Sequence, residues 1–157
     1  MTPTESTTTH QLQVTRTLAA SRDAVWQAWT DPKTMAKWLR PGPDFEPFDT
    51  EIDLRVGGRY RHGMRHTEKG EEHIATGVYR EIKPKDRLAF TWAWEGSQGD
   101  GATETLVTIE LRDTGDAGDG TELILTHSLF PTDSMRDHHE QGWGGCLGQL
   151  EQFLTAS

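Results

Sequence analysis

The sequence predicts an α+β fold: one antiparallel sheet of seven strands, covered on one face by a long C-terminal helix, with two short helices after the first strand. Three observations carry this. Seven stretches alternate apolar and polar residues with the two-residue period of a half-buried strand. Six of them follow one another with turn-forming residues between, the pattern of an antiparallel meander. The final segment, "RDHHEQGWGGCLGQLEQFL", instead carries apolar residues at helical spacing.

Taken in order, Gln11 to Leu18 is the first strand, with Leu12, Val14 and Leu18 on one face and Arg16 among them. Ser21 is placed to cap a helix in which Ala24, Val25, Ala28 and Trp29 recur at helical spacing. Asp31 caps the next, Pro32 takes its first position, and Met35, Trp38 and Leu39 form its apolar face. "RPGPDFEPF" reads as loop, since three prolines and a glycine oppose regular structure. Phe48 to Val56 alternates again, with Ile52 and Leu54 on one side, and "VGG" turns the chain into Arg59 to His66. There Tyr60, His62, Met64 and His66 share a face opposite Arg59, Arg61 and Arg65. Ile74 to Ile82 follows. Arg87 to Glu95 presents Leu88, Phe90, Trp92 and Trp94, and Glu104 to Arg112 presents Thr105, Val107, Ile109 and Leu111. Thr121 to Leu129 presents Leu123, Leu125, His127 and Leu129. After Pro131, Asp133 or Ser134 is placed to cap the last helix. At about 1.5 Å per residue, Thr132 to Ala156 makes a rod of roughly 37 Å, long enough to cross a strongly curved sheet.

The chain has 157 residues, the size of one domain, and the reading is a short disordered lead over 1–10 followed by a single domain over 11–157. Apolar residues make up only 33%, but six Trp and five Phe concentrate apolar area in few side chains. The net charge of -9 opposes binding to nucleic acid or anionic membranes, which needs clustered Lys and Arg. No apolar run approaches the roughly 18 residues of a membrane span, and the polar opening "MTPTESTTTH" lacks a signal peptide's apolar stretch. One cysteine excludes an internal disulfide and suits a reducing compartment. A soluble, cytoplasmic protein is expected.

Five segments in this order, "DAVWQAWTDPKTMAKWLRP", "DLRVGGRYRHGMR", "GVYREIKPKDRLAFTW", "GTELILTHSLFP" and "HEQGWGGCLGQLEQFL", resemble the heat-shock-protein-90 ATPase activator homologue (Aha-type) family. That family belongs to the START, polyketide-cyclase and birch-allergen-like (SRPBCC) superfamily. The resemblance runs from about Leu12 to Leu154. It implies the helix-grip fold, a seven-stranded antiparallel sheet gripping the C-terminal helix with a cavity between them. It implies little about chemistry, because the superfamily spans lipid carriers, hormone receptors, cyclases and self-resistance proteins, and a fold alone does not give a function.

In such a fold Tyr60, Met64, Phe90, Trp92 and Trp94 point to the concave side together with Trp143. Each serves as plain core packing or as the lining of a small-molecule pocket, and the set favours a pocket that is apolar with a few polar groups. His62, His127 and His139 are either hydrogen-bonded core residues or general acids and bases. His66 shares their inward orientation. Metal is not expected: His62 and His66 stand four strand residues apart, about 13 Å at ~3.3 Å per residue, and His138 and His139 diverge by about 100° around a helix. No CxxC motif is present, and no phosphate loop or dinucleotide fingerprint implies a cofactor. Arg16 is either half of a structural ion pair or an anchor for an anionic group of a ligand.

On the last helix, Met135, His139, Trp143, Cys146, Leu147, Leu150, Phe153 and Leu154 form the buried stripe, with Gly142 at its edge. Gly144, Gly145 and Gly148 fall on the opposite side, where each costs about 0.8–1 kcal/mol against Ala. Close approach of a second chain, in a homodimer through the back of this helix, is one gain that offsets that cost. The function expected is the holding of a small apolar or aromatic molecule between sheet and helix. A cyclase- or hydrolase-type enzyme with a cavity histidine, and a chaperone-activator-like interaction domain, are the alternatives.

Overall fold

The computed structural model describes residues 10–96, 103–114 and 120–155. The elements run β1 (His10–Leu18), α1 (Arg22–Thr30), α2 (Pro32–Trp38), β2 (Phe45–Ile52), β3 (Arg59–His66), β4 (Glu72–Lys83), β5 (Arg87–Trp94), β6 (Thr105–Asp113), β7 (Thr121–Phe130) and α3 (Asp133–Thr155). The seven strands form one antiparallel sheet in the order β1-β7-β6-β5-β4-β3-β2. β2 to β7 are a meander, and β1 joins its far edge beside β7. The chain between β1 and β2 therefore travels from one edge to the other, and α1 and α2 make that journey.

Local chemistry fixes the short helices. Ser21 Oγ accepts the Ala24 N–H at the start of α1. Asp31 ends α1 and caps α2, its carboxylate accepting from both the backbone N–H and the hydroxyl of Thr34. Trp38 Nε1 donates to the Ala28 carbonyl at 2.8 Å, which ties α2 back onto α1.

Strand register aligns the inward side chains in rows. Leu12 lies opposite His127, His127 opposite Val107, Val107 opposite Phe90, and Phe90 opposite Tyr79. The neighbouring row runs Val14, Leu125, Ile109, Leu88. All of these except Val14 are buried. α3 closes the concave side, burying His139, Trp143, Cys146, Leu147 and Leu150 against the sheet.

Five boundaries or orientations differ from the sequence reading, each for a physical reason. β1 begins at His10, one residue before the strand as read, and the His10 ring meets the Asp133 carboxylate at 2.5 Å; residues 1–9 lie outside the described residues. β2 begins at Phe45, within the proline-rich stretch read as loop. Pro47 is tolerated because β2 is an edge strand, where a missing N–H breaks no ladder on the open side. β2 also ends at Ile52, leaving Leu54 and Val56 exposed in the turn before β3. In β7, Leu129 adopts φ 70° and turns outward, 48% exposed, while Phe130 takes the inward place. Finally, Thr132 rather than Asp133 or Ser134 caps α3, its hydroxyl accepting the Met135 N–H.

Candidate functional site

Between the open end of the sheet and α3 lies a cavity of about 360 Å³. Its walls are mainly aromatic and aliphatic. β5 supplies Trp92 and Trp94, β3 Met64, β4 His73 and Ile74, β2 Phe45, and α3 His138, His139, Gly142, Trp143 and Cys146. The indoles meet at steep angles: Trp92 lies 5.0 Å from Trp143 and 5.4 Å from Trp94, the latter edge to face. Gly142 faces open space, since a Cβ there would meet nothing within 4 Å.

Of the residues read as candidates, Met64, Trp92, Trp94, His139 and Trp143 line this cavity. Tyr60, His62 and Phe90 do not. They lie beyond Trp92 around an enclosed void of about 10 Å³, shared with Trp29, Met35 and Tyr79. The Tyr60 hydroxyl donates to the Thr91 carbonyl, and burial raises its pKa well above the ordinary phenol value. His127 stands behind Trp143, out of the cavity lining. Arg16 is half-buried beside α3 with its guanidinium 3.8 Å from Glu151, and it does not reach the cavity. His66 serves the β3–β4 turn: its Nδ1 accepts the N–H groups of Glu68 and Lys69.

The histidines form a set of closed hydrogen-bond circuits whose tautomers follow from their partners. Thr105 Oγ1 donates to the Trp92 carbonyl, so it must accept from His127 Nε2–H at 2.7 Å. His127 Nδ1 then accepts from Trp143 Nε1–H at 2.9 Å. His139 Nδ1–H donates to the Met135 carbonyl, leaving Nε2 to accept from Trp94 Nε1–H at 3.0 Å. His62 Nε2–H donates to the Leu39 carbonyl, and its Nδ1 accepts from the Thr50 hydroxyl. A proton added to any of these rings points a new N–H at an existing donor or displaces it. Burial acts in the same direction. It holds His127 well below the usual imidazole value, with His139 contributing, lowers His139, and lowers His62 to about 4. Burial likewise pushes the Cys146 thiol up to about 12.

The cavity wall is therefore electrically neutral in its interior. Its charged neighbours are Glu72 and Glu95, at the mouth. Each is ion-paired to an arginine on the other side of β3 from Met64: Arg65 with Glu72 at 3.1 Å, and Arg61 with both oxygens of Glu95 at 3.0 Å. Among the described residues no group of three or more His, Cys, Asp or Glu is arranged to hold a metal ion.

Sequence reading missed Phe45, His73, Ile74 and His138 as part of this wall. His73 was reachable: it shares the parity of Ala75 and Tyr79, both buried, and extending β4 back by two residues turns it inward. Phe45 was masked by the prolines around it.

A long helix held in a curved antiparallel sheet, with a cavity at one end of their interface, defines a helix-grip domain. Solved structures share this arrangement. Protein CV1439 from Chromobacterium violaceum is 28% identical over 92% of this chain and 96% of its own, with a TM-score of 0.79. Protein NE0264 from Nitrosomonas europaea is 27% identical over 93% and 94%, with a TM-score of 0.75. An AHSA1-like protein from Aeromonas hydrophila shares the fold at 23% identity and a TM-score of 0.75, over 94% of this chain and 93% of its own. No curated protein matches the chain. The sequence profile described as "Activator of Hsp90 ATPase homolog 1-like protein" matches residues 19–155, and the chain belongs to that family. No helix among the described residues is long and apolar enough to cross a membrane.

Proposed function

We propose that this chain is a small-molecule binding domain that holds an apolar or aromatic ligand in the cavity between the sheet and α3. The observation that carries this reading is the cavity of about 360 Å³ walled by Phe45, Met64, Ile74, Trp92, Trp94 and Trp143. A side-chain core would have filled that volume, as it fills the region around Tyr60 and Phe90. The chain works in the cytoplasm, in keeping with a single buried, reduced cysteine.

Native mass spectrometry of protein purified from its host, with tryptophan fluorescence titrations against a metabolite library, tests the reading. A retained or added small molecule that changes the emission is the expected result. No bound mass and no spectral response across the library would overturn it.

The acid–base alternative draws no support from the histidines, since both ring nitrogens of His62, His127 and His139 are engaged within the protein. The family's name favours a second reading, association with the host Hsp90. A pull-down distinguishes it, with retention of the chaperone supporting it. A homodimer through the back of α3 rests on Gly148, since Gly145 packs on the Pro41 carbonyl and Gly144 lies beside Arg16, and light scattering reads its mass.

A further inference from the structure

Among the described residues, the aromatic cavity has no spare hydrogen-bonding capacity in its depth and no unpaired charge, and this limits what can occupy it. Trp143 Nε1–H is committed to His127, and Trp94 Nε1–H to His139. His139 has no free nitrogen, because Nδ1 serves Met135. Trp92 Nε1 is sealed from solvent without a partner among the described residues. A nitrogen facing an open space of this size would be accessible, so Trp92 shows the cavity its ring and not its N–H. Cys146 is a neutral thiol. The lining residues include no Lys or Arg, and both carboxylates at the mouth are paired with Arg61 and Arg65. Polar contacts are available at the rim, from the rings of His73 and His138.

We propose that the occupant is a flat aromatic molecule, free of carboxylate, whose polar substituents point to the rim, and that the cavity rejects carboxylate-bearing analogues of the same shape. The inference rests on the binding reading above and sharpens it. The physical reason is desolvation. A carboxylate drawn between Trp92, Trp94 and Trp143 leaves water, meets the negative faces of the indoles and finds no Lys or Arg among the described lining residues, a loss that nothing there repays. A neutral ring system gives up little hydration and gains contact with three indoles.

Three probes of one shape test this on the full chain: 2-naphthol, 2-naphthoate and 2-naphthylmethylammonium, at neutral pH. Isothermal calorimetry gives the affinities, and nitrogen-15-edited NMR follows the indole N–H signals of Trp94 and Trp143. The expected result is that the naphthol binds roughly tenfold or more tighter than the naphthoate. Gly142→Leu should abolish naphthol binding, because its side chain projects into the cavity and a Cβ at that position meets nothing else. Naphthoate binding as tightly as naphthol would overturn the proposal by revealing a cation within reach. The ammonium probe binding more weakly than naphthoate would overturn it as well, since the ring faces and the mouth carboxylates favour a cation over an anion. Naphthol binding that survives Gly142→Leu unchanged would also overturn it, since the site would lie elsewhere. If none of the three probes binds the unaltered chain, the binding reading itself fails and this inference with it.

Discussion

Gly145 and Gly148 lie three residues apart on α3 and respond oppositely to an added methyl group. At Gly145 a Cβ would sit 2.0 Å from the Pro41 carbonyl oxygen, whereas at Gly148 it would meet nothing within 4 Å. Gly145→Ala is therefore expected to destabilise the fold by roughly 1–3 kcal/mol, by forcing the 39–44 segment off the helix. Gly148→Ala is expected to stabilise it by up to about 1 kcal/mol. Urea unfolding of the two variants checks the sign at each site. This corrects the sequence reading, which placed three glycines on an open face and offered a partner chain as the reason. Helical periodicity assigns an angle around an axis but not what approaches from that side. Gly144 has the Arg16 guanidinium at 4.0 Å, so of these three glycines only Gly148 has nothing within reach of an added Cβ. Trp143→Phe makes a second test at this scale. It leaves His127 Nδ1 buried without a donor, a loss of about 1–3 kcal/mol if no water enters.

At the scale of elements, the departures from regular pattern are where the sequence was hardest to read. The alternation of β7 continues through Leu129 on paper, yet the strand reverses its facing there. Phe130 moves inward and its ring comes to 4.2 Å from His127. Leu129 bears the cost in a left-handed conformation that a residue with a Cβ seldom adopts. Leu129→Asn is expected to leave stability unchanged or to raise it, because Asn tolerates that conformation better and the leucine is half exposed. A loss above about 1 kcal/mol, within the range of a lost packing contact, would show that Leu129 is held by contacts of its own. β2 was misplaced for a similar reason: Pro41, Pro43 and Pro47 read as breakers, and only the edge position of β2 makes Pro47 compatible with a strand. The strands with regular alternation and tight turns, β3 and β5 among them, were legible nearly to the residue, because one buried face leaves a two-residue period no other register. The circuit of Trp94, His139, His127 and Trp143 was legible only as a set of inward residues. Which side chains meet across strands is a matter of register and rotamer, not of pattern.

For the whole molecule, the histidine circuits make stability depend on acidity. His62 is held to about 4 in the folded protein against an ordinary 6.5, so between these values the unfolded chain binds more protons than the folded one. Stability from this group is complete above 6.5 and is lost as the pH falls toward 4, a change of roughly 3 kcal/mol. His127 and His139, lowered by burial in the same sense, add to the loss. Thermal melts across that window are expected to show a falling midpoint on acidification, and a flat profile would mean that the rings are hydrated. The packing of the indoles has an optical consequence as well. Trp38 contacts Trp29 at 4.8 Å, Trp29 contacts Trp143 at 6.1 Å, and Trp143 and Trp94 both meet Trp92, so five tryptophans form an unbroken chain from α2 to the cavity mouth. Transition dipoles this close and this steeply inclined couple, so the near-ultraviolet circular dichroism should be a collective property of the five. Excitation absorbed anywhere along the chain can migrate to Trp94 at the mouth before it is emitted.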